Sequence, residues 1–194
     1  MITRVCSDTI KVVTGMESIQ MKRINFFVLL VALLLTACSN SVPKYLQNPT
    51  FSNLSTKQKH LLAYIEHSGI QVIQQGMRFT FVIPDDAYFS KRTRELKTHQ
   101  EKNIEALAYF IHDYIQFFKK PMITVTGYGD TVFYAPARDK ISRHYAETIA
   151  DILRENGVPS GVLVVKGKGA RHPIGDNSYP LGASFNRRVE IVIR

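Results

Sequence analysis

Residues 104–118 read IEALAYFIHDYIQFF, and this stretch carries the clearest periodic pattern in the chain. Its apolar residues recur three or four positions apart, which places them on one face of an α-helix. The residues of that face are Ile104, Leu107, Ala108, Ile111, Ile115 and Phe118. Lys119 and Lys120 suit the negative end of the helix dipole, and Pro121 cannot continue a helix. The stretch therefore predicts an amphipathic helix that packs one face against a core.

Segments of strand character lie on both sides of this helix. One further helix is predicted before it in the sequence and one after it. Ser55 is the N-cap of the earlier helix; Pro136 lies in the first turn of the later helix, which ends at Asn156-Gly157. Alternating or short apolar runs predict strands over residues 70–73, 77–83, 122–126, 161–165 and 189–193. This order predicts an α+β sandwich, in which a mixed sheet of four or more strands carries helices on one face.

The first 37 residues have the character of an export signal. Met21-Lys22-Arg23 gives a basic start, and residues 26–35 form an apolar run shorter than the roughly 20 residues that span a bilayer. Leu35-Thr36-Ala37-Cys38 resembles the lipobox of bacterial lipoproteins, in which the cysteine is acylated; an ordinary signal with a chance cysteine is the alternative. Residues 1–20 precede this complete signal, so they are either an upstream segment before a start at Met21 or a genuine extension.

Four parts are therefore expected along the chain. The residues after Cys38 are rich in Ser, Asn and Pro and predict a flexible tether that could reach about 50 Å, at about 3.3 Å per residue. The expected parts are an upstream segment and signal peptide over 1–37, a lipidated N-terminus and tether over 38–54, a helix and short strand over 55–76, and a domain over 77–194.

Charge and cysteine content limit the classes of function. The net charge of +9 favours an acidic partner, and export from the cytoplasm disfavours nucleic acid. With Cys6 before the signal and Cys38 lipidated, the mature domain is expected to have no disulfide. The six histidines show no ligand spacing, so neither a metal nor a cofactor is expected. No nucleophile with a nearby base and no pair of acids stands out, so we expect no enzyme.

Four motifs carry a resemblance to a known family. They are Phe81-Val82-Ile83-Pro84 with Phe89 after it, Val125-Thr126-Gly127-Tyr128-Gly129-Asp130, Ile141-Ser142-x-x-Tyr145-Ala146, and the closing Asn186-Arg187-Arg188-Val189-Glu190-Ile191. In order and spacing these motifs resemble the OmpA-like C-terminal domain, which associates with peptidoglycan. The likeness covers about residues 77–194. It implies a non-catalytic domain with peptidoglycan as its partner.

The resemblance also implies a pocket for the diaminopimelate of the peptidoglycan stem, which carries an ammonium and a carboxylate. The family's acid for the ammonium is Asp130 here, although an Asp at this place could also serve only to form a turn. The family's arginine for the carboxylate is replaced by Tyr145, which cannot form a bidentate ion pair and could serve only in packing. Arg138, two helical turns earlier on nearly the same face, is the candidate to replace that cation.

Ser142, Asn186, Arg187 and Arg188 complete the implied binding set. The two arginines begin the last strand, so their side chains are expected to face opposite ways. One could contact the ligand while the other pairs with a carboxylate of the fold, and a structural role for both remains open. Ala183 stands where the family often has a second arginine. Whether the pocket still binds the wall is therefore open.

Two functions follow. In the first, an outer-membrane lipoprotein faces the periplasm, binds peptidoglycan and anchors an envelope assembly; Ser39, which is not Asp, implies the outer membrane. In the second, the domain has lost its ligand and serves only to dock other proteins. The chain also resembles, in size, lipobox and closing motif, the small OmpA-domain lipoproteins of type IVB secretion systems. That resemblance implies other envelope proteins of a secretion system as partners.

Overall fold

A computed structural model describes residues 53–91, 93–132 and 135–194. The predicted signal segment, the lipidation site Cys38 and nearly all of the predicted tether lie outside the described residues. Within the described ranges, no helix combines the length and the apolar character needed to cross a bilayer.

The elements begin and end close to where the sequence patterns predict. At the start of the first helix, the Ser55 hydroxyl accepts the backbone N–H of Gln58 at 3.2 Å, and the side-chain Oε1 of Gln58 accepts the Ser55 N–H at 2.9 Å, which confirms the predicted cap. In chain order the elements are α1 (Thr56–His67), β1 (Gln71–Gln75), β2 (Arg78–Pro84), α2 (Asp85–Tyr88), α3 (Glu101–Tyr114), β3 (Ile123–Tyr128), α4 (Ala135–Glu155), β4 (Leu163–Gly167), α5 (Pro180–Asn186) and β5 (Arg188–Ile193).

The five strands form one mixed sheet in the order β1-β2-β5-β3-β4. Strands β3 and β4 are parallel, whereas the other neighbours are antiparallel. Helices pack on one face of this sheet, so the predicted α+β sandwich is confirmed. The register sets Pro84 and Tyr128 on either side of Arg188, which brings the ends of β2 and β3 to the start of β5. The end of β2, the end of β3 and the start of β5 therefore lie side by side at one end of the strands.

The core lies between the helices and the face of the sheet formed by alternate strand residues. In β2, Phe79, Phe81 and Ile83 are buried while the residues between them are partly exposed, as the period of two predicts. The ring of Phe110 from α3 meets Phe81 edge-on, with ring centroids 5.6 Å apart. Ile104, Leu107, Ala108 and Ile111 of the predicted stripe are buried as well, so the apolar face of α3 packs into the core.

The structure differs from the predictions mainly in short elements. The helix predicted over 104–118 begins earlier, and its last residues form a 3₁₀ turn, Ile115–Phe117. Helices α2 and α5 were not predicted, because four and seven residues are too few to display a helical period. The segment predicted as a loop over 166–182 ends in α5, where Pro180 occupies the first turn.

Candidate functional site

A cavity of about 320 Å³ opens where β2 and β3 end and β5 begins. The antiparallel register places Asp85 and Asp86 directly after β2, Asp130 two residues after β3 and Arg187 directly before β5. Helix α4 and the loop after α2 provide the opposite wall. The lining residues are Asp85, Asp86, Phe89, Lys91, Arg94, Tyr128, Gly129, Asp130, Val132, Arg138, Ile141, Ser142, Tyr145 and Arg187.

Arg187 joins two carboxylates of this cavity. Its guanidinium donates to both oxygens of Asp86, at 3.0 and 2.6 Å, and to Oδ2 of Asp130 at 2.5 Å. The hydrogen bond from Arg187 holds the pKa of Asp86 below its ordinary value, and the same bond raises the pKa of Arg187. Asp130 also accepts the N–H of Val132 at 3.0 Å, so it forms the predicted turn as well as lining the cavity.

Asp85 differs from its neighbour because it lies beneath the ion pairs. Its side chain is buried, and its Oδ1 has no hydrogen-bond partner among the described residues. Burial, followed by the charge of Asp86, raises the pKa of Asp85 well above its ordinary value. Two neighbouring acids of the cavity therefore behave differently. Asp85 keeps its proton to a higher pH than an ordinary aspartate, whereas Asp86 loses its proton at a lower pH.

The Asp85→Asn variant is expected to be more stable than the wild type at neutral pH, by roughly 1 kcal/mol or more, because a buried, incompletely paired carboxyl is replaced by a neutral isostere. A raised pKa means that the folded state binds more protons than the unfolded state, so the wild type loses stability as pH rises above about 3.8. The amide does not titrate. In urea titrations from pH 3 to pH 8, the unfolding free energies of the wild type and of Asp85→Asn should converge at low pH and differ increasingly as the pH rises.

The opposite contribution of Asp86 is common to both proteins and cancels in this comparison. Its lowered pKa adds stability that is lost only as pH falls through that value. Equal pH dependence of the wild type and Asp85→Asn would contradict the assignment of the buried proton to Asp85.

The wall formed by α4 contains three of the residues predicted to bind. Ser142 is buried, donates to the Asp139 carbonyl at 3.1 Å and accepts the Gly169 N–H at 2.9 Å. Tyr145 packs on Phe89 with ring centroids 4.4 Å apart, and burial raises its pKa. Arg138 lines the same wall. Tyr145 therefore packs within the fold and also lines the cavity.

Two of the predicted residues lie away from the cavity. The Asn186 side chain is buried and bonds the backbone of the loop before α5, accepting the N–H groups of Ile174 at 2.8 Å and Gly175 at 2.9 Å. Arg188 is also buried, pairs with Glu190 at 2.7 Å and lies 4.1 Å from the centre of the Tyr128 ring. Both arginines therefore pair with carboxylates of the fold, and of the two only Arg187 lines the cavity.

Sequence reasoning missed the acids after β2 and the loop that follows α2. Neither Asp85 nor Asp86 belongs to a predicted strand or to one of the four motifs. In the loop, Arg94 has a φ of +62°, a left-handed conformation that is uncommon outside glycine and is often found at functional sites. Its N–H donates to the Ser90 carbonyl at 2.7 Å, which closes the turn that brings residue 94 to the cavity. Asp85 and Asp86 could be assigned to the cavity only from the pairing of β2 with β5, which the sequence patterns do not specify.

No group of histidine, cysteine, aspartate and glutamate residues that could hold a metal ion occurs in the part of the chain that the structure describes. The chemistry available in the cavity is that of carboxylates, guanidinium groups and hydroxyls. Such a set can bind a ligand that bears both an ammonium and a carboxylate.

Comparison with known proteins finds a family profile and several relatives that this chain resembles. The sequence profile of the OmpA family matches residues 88–187. The probable lipoprotein YiaD of Escherichia coli is 26% identical over 126 residues, 65% of this chain and 56% of YiaD. The outer-membrane lipoprotein YfiB of Pseudomonas aeruginosa is 38% identical over 66 residues, 34% of this chain and 37% of YfiB. The chain thus spans only about a third to just over half the length of these relatives.

Two further proteins resemble part of this chain, one in sequence and one in fold. The peptidoglycan-binding protein ArfA of Mycobacterium tuberculosis is 35% identical over 71 residues, 37% of this chain and 22% of ArfA. The solved structure of the cell wall anchor of the T6SS from Pseudomonas aeruginosa superposes with a TM-score of 0.57 at 24% identity, covering 70% of this chain and 94% of the anchor. The second likeness supports the fold alone.

Proposed function

The chain belongs to the OmpA family, and we propose that its folded domain binds peptidoglycan without catalysis, through the cavity where β2, β3 and β5 meet. The observation that carries this proposal is the group of three aspartates around Arg187 in a cavity of about 320 Å³. The relative ArfA, named as a peptidoglycan-binding protein, supports the same ligand.

The chemistry of the ligand fits this group of residues. The diaminopimelate of the stem peptide presents an ammonium, which needs carboxylates, and a carboxylate, which needs a cation. Asp130 supplies an acceptor whose position is fixed by Arg187 and by the Val132 N–H. Arg138 lines the wall opposite and is the proposed partner of the ligand carboxylate. Ser142 and Tyr145 complete the wall.

We propose further that lipid on Cys38 holds the protein in the outer membrane, facing the periplasm, with residues 38–54 as a tether. The lipobox of residues 35–38 and Ser39 after it support this assignment, as do the relatives named as lipoproteins. The domain over 77–194 would then connect the membrane to the wall and anchor an envelope assembly. A secretion core complex of type IVB, with a lipoprotein of the DotK/IcmN kind, is the proposed assembly.

Docking of proteins without wall binding is the second candidate function. Two observations favour it. Tyr145 replaces the family's arginine, which weakens the cationic side of the pocket. Large apolar side chains are also exposed around α5, among them Tyr179 at 67%, Leu181 at 69% and Phe185 at 51%. A protein partner in the secretion assembly could cover them.

Sedimentation with purified sacculi tests the two functions. We expect the wild-type protein to be retained, and Asp130→Asn to bind about tenfold more weakly, because a hydrogen bond between charged groups contributes about 1.5–3 kcal/mol. Arg138→Ala should weaken binding similarly if it holds the ligand carboxylate. Asp113→Asn is the matched control, since Asp113 pairs with Lys57 at 3.1 Å on a different surface.

Absence of wild-type retention would reject wall binding and favour docking. Loss in Asp130→Asn without loss in Arg138→Ala would keep the function and remove Arg138 from the site. Purification of the tagged protein with other envelope proteins would support the secretion assembly, and recovery of the protein alone would count against it.

A further inference from the structure

A second cavity of about 520 Å³ adjoins the first one. Arg94 and Ile141 line both cavities, so they form the boundary between them. The side chains at positions 137, 140, 141 and 144 of α4 follow the helical spacing of three and four, which places them along one face. The residues of the second cavity are Arg94, Pro136, Ala137, Lys140, Ile141, Arg143, His144 and Glu147.

The two cavities differ in how many acids balance their cations. In the first, three aspartates accompany the cations Lys91, Arg94, Arg138 and Arg187. The second is lined by Lys140, Arg143 and Arg94 with Glu147 as its single acid. Glu147 accepts a hydrogen bond from Arg143 at 2.8 Å, one turn away on α4. Lys140 has no carboxylate within salt-bridge distance among the described residues. The second cavity therefore carries net positive charge, with fewer acids to balance its cations than the first.

We propose that this second cavity is a subsite for carboxylates of the stem peptide other than those of the diaminopimelate side chain. The proposal rests on the proposed function. When the ammonium group occupies the first cavity, the neighbouring acidic residue of the same peptide lies over Lys140 and Arg143. Because Tyr145 supplies no positive charge to the first cavity, the adjoining cationic surface takes a larger share of recognition than it would beside an arginine.

The subsite predicts a preference for acidic over amidated peptides. The probes are two synthetic fragments, L-Ala-γ-D-Glu-meso-diaminopimelate and the same fragment with the glutamate α-carboxylate amidated. The wild-type protein is expected to bind the acidic fragment about tenfold more tightly in calorimetry at low salt. In the variant Lys140→Gln/Arg143→Gln this preference should fall to about twofold or less, while affinity for the amidated fragment changes little.

A charge-matched control uses lysines that line neither cavity. Lys102 lies on α3, Lys120 follows the 3₁₀ turn after α3, and both are exposed. The variant Lys102→Gln/Lys120→Gln removes the same formal charge and should keep the tenfold preference. Thermal unfolding of all three proteins verifies that they are folded.

Each result has a separate meaning. Equal binding of both fragments by the wild type would overturn the subsite and leave wall binding intact. Equal loss of preference in the control variant would overturn it too, because net charge rather than this cavity would then govern the preference. Failure of the wild type to bind either fragment would reject wall binding and the subsite together.

Discussion

The Arg187→Ala variant is expected to lose about 2–4 kcal/mol of unfolding free energy and to bind sacculi no better than background. The guanidinium makes three hydrogen bonds to Asp86 and Asp130, and its side chain is only 27% exposed. Its removal leaves two carboxylates close together above the buried Asp85, and breaking a buried ion pair costs about 3–5 kcal/mol. The expected loss of about 2–4 kcal/mol is set about 1 kcal/mol below this range because the Arg187 side chain is partly exposed. Urea titration at pH 7 measures the loss.

An exposed ion pair provides the matched control for this prediction. Arg171 donates to Asp139 at 2.8 Å, but both side chains are about half exposed, so Arg171→Ala should cost less than about 1 kcal/mol. Adding Asp86→Asn to Arg187→Ala removes one of the uncompensated charges and should recover part of the lost stability. Equal stability of Arg187→Ala and the wild type would contradict the view that Arg187 holds the acids together.

The fold could be predicted because its signals are local. The helical period over residues 104–118 and the alternation in β2 follow from which side chains face the core, and burial of one face suffices to produce both patterns. Helices α2 and α5 escaped prediction because their lengths are set by tertiary contacts. In α5, for example, Gly182 lies against the backbone of Asp176, and this approach is not encoded by a period.

The site was predictable only in part, because strand order decides it. Asp130 and Arg187 were identified through family motifs, and the structure brings their side chains within 2.5 Å. Asp85 and Asp86 belong to the same cavity only because β2 pairs with β5, and a single sequence does not state which strands are neighbours. Alternation indicated that Arg187 and Arg188 face opposite ways, but not which of them faces the cavity.

Gly127 near the end of β3 is the position where a single added methyl group should have the second large effect. An added Cβ would lie 1.8 Å from the carbonyl oxygen of Ser142 in α4, far inside van der Waals contact. Gly167, which pairs with Gly127 across β3 and β4, would place a Cβ 2.5 Å from the carbonyl oxygen of Asp139. The two glycines together form the surface on which the first half of α4 rests.

The Gly127→Ala variant is therefore expected to lose about 3 kcal/mol or more of unfolding free energy, since the backbone of α4 cannot move away without opening the core beneath it. Ser142 and Arg138 would shift with the helix, so whatever protein remains folded should also lose sacculus binding. Gly161→Ala is the control, because no atom lies within 4 Å of its added Cβ, and it should change stability by less than about 1 kcal/mol. If Gly127→Ala unfolds at the wild-type urea concentration, the close approach of α4 to β3 is wrong, and the wall of the binding cavity must be built by other contacts.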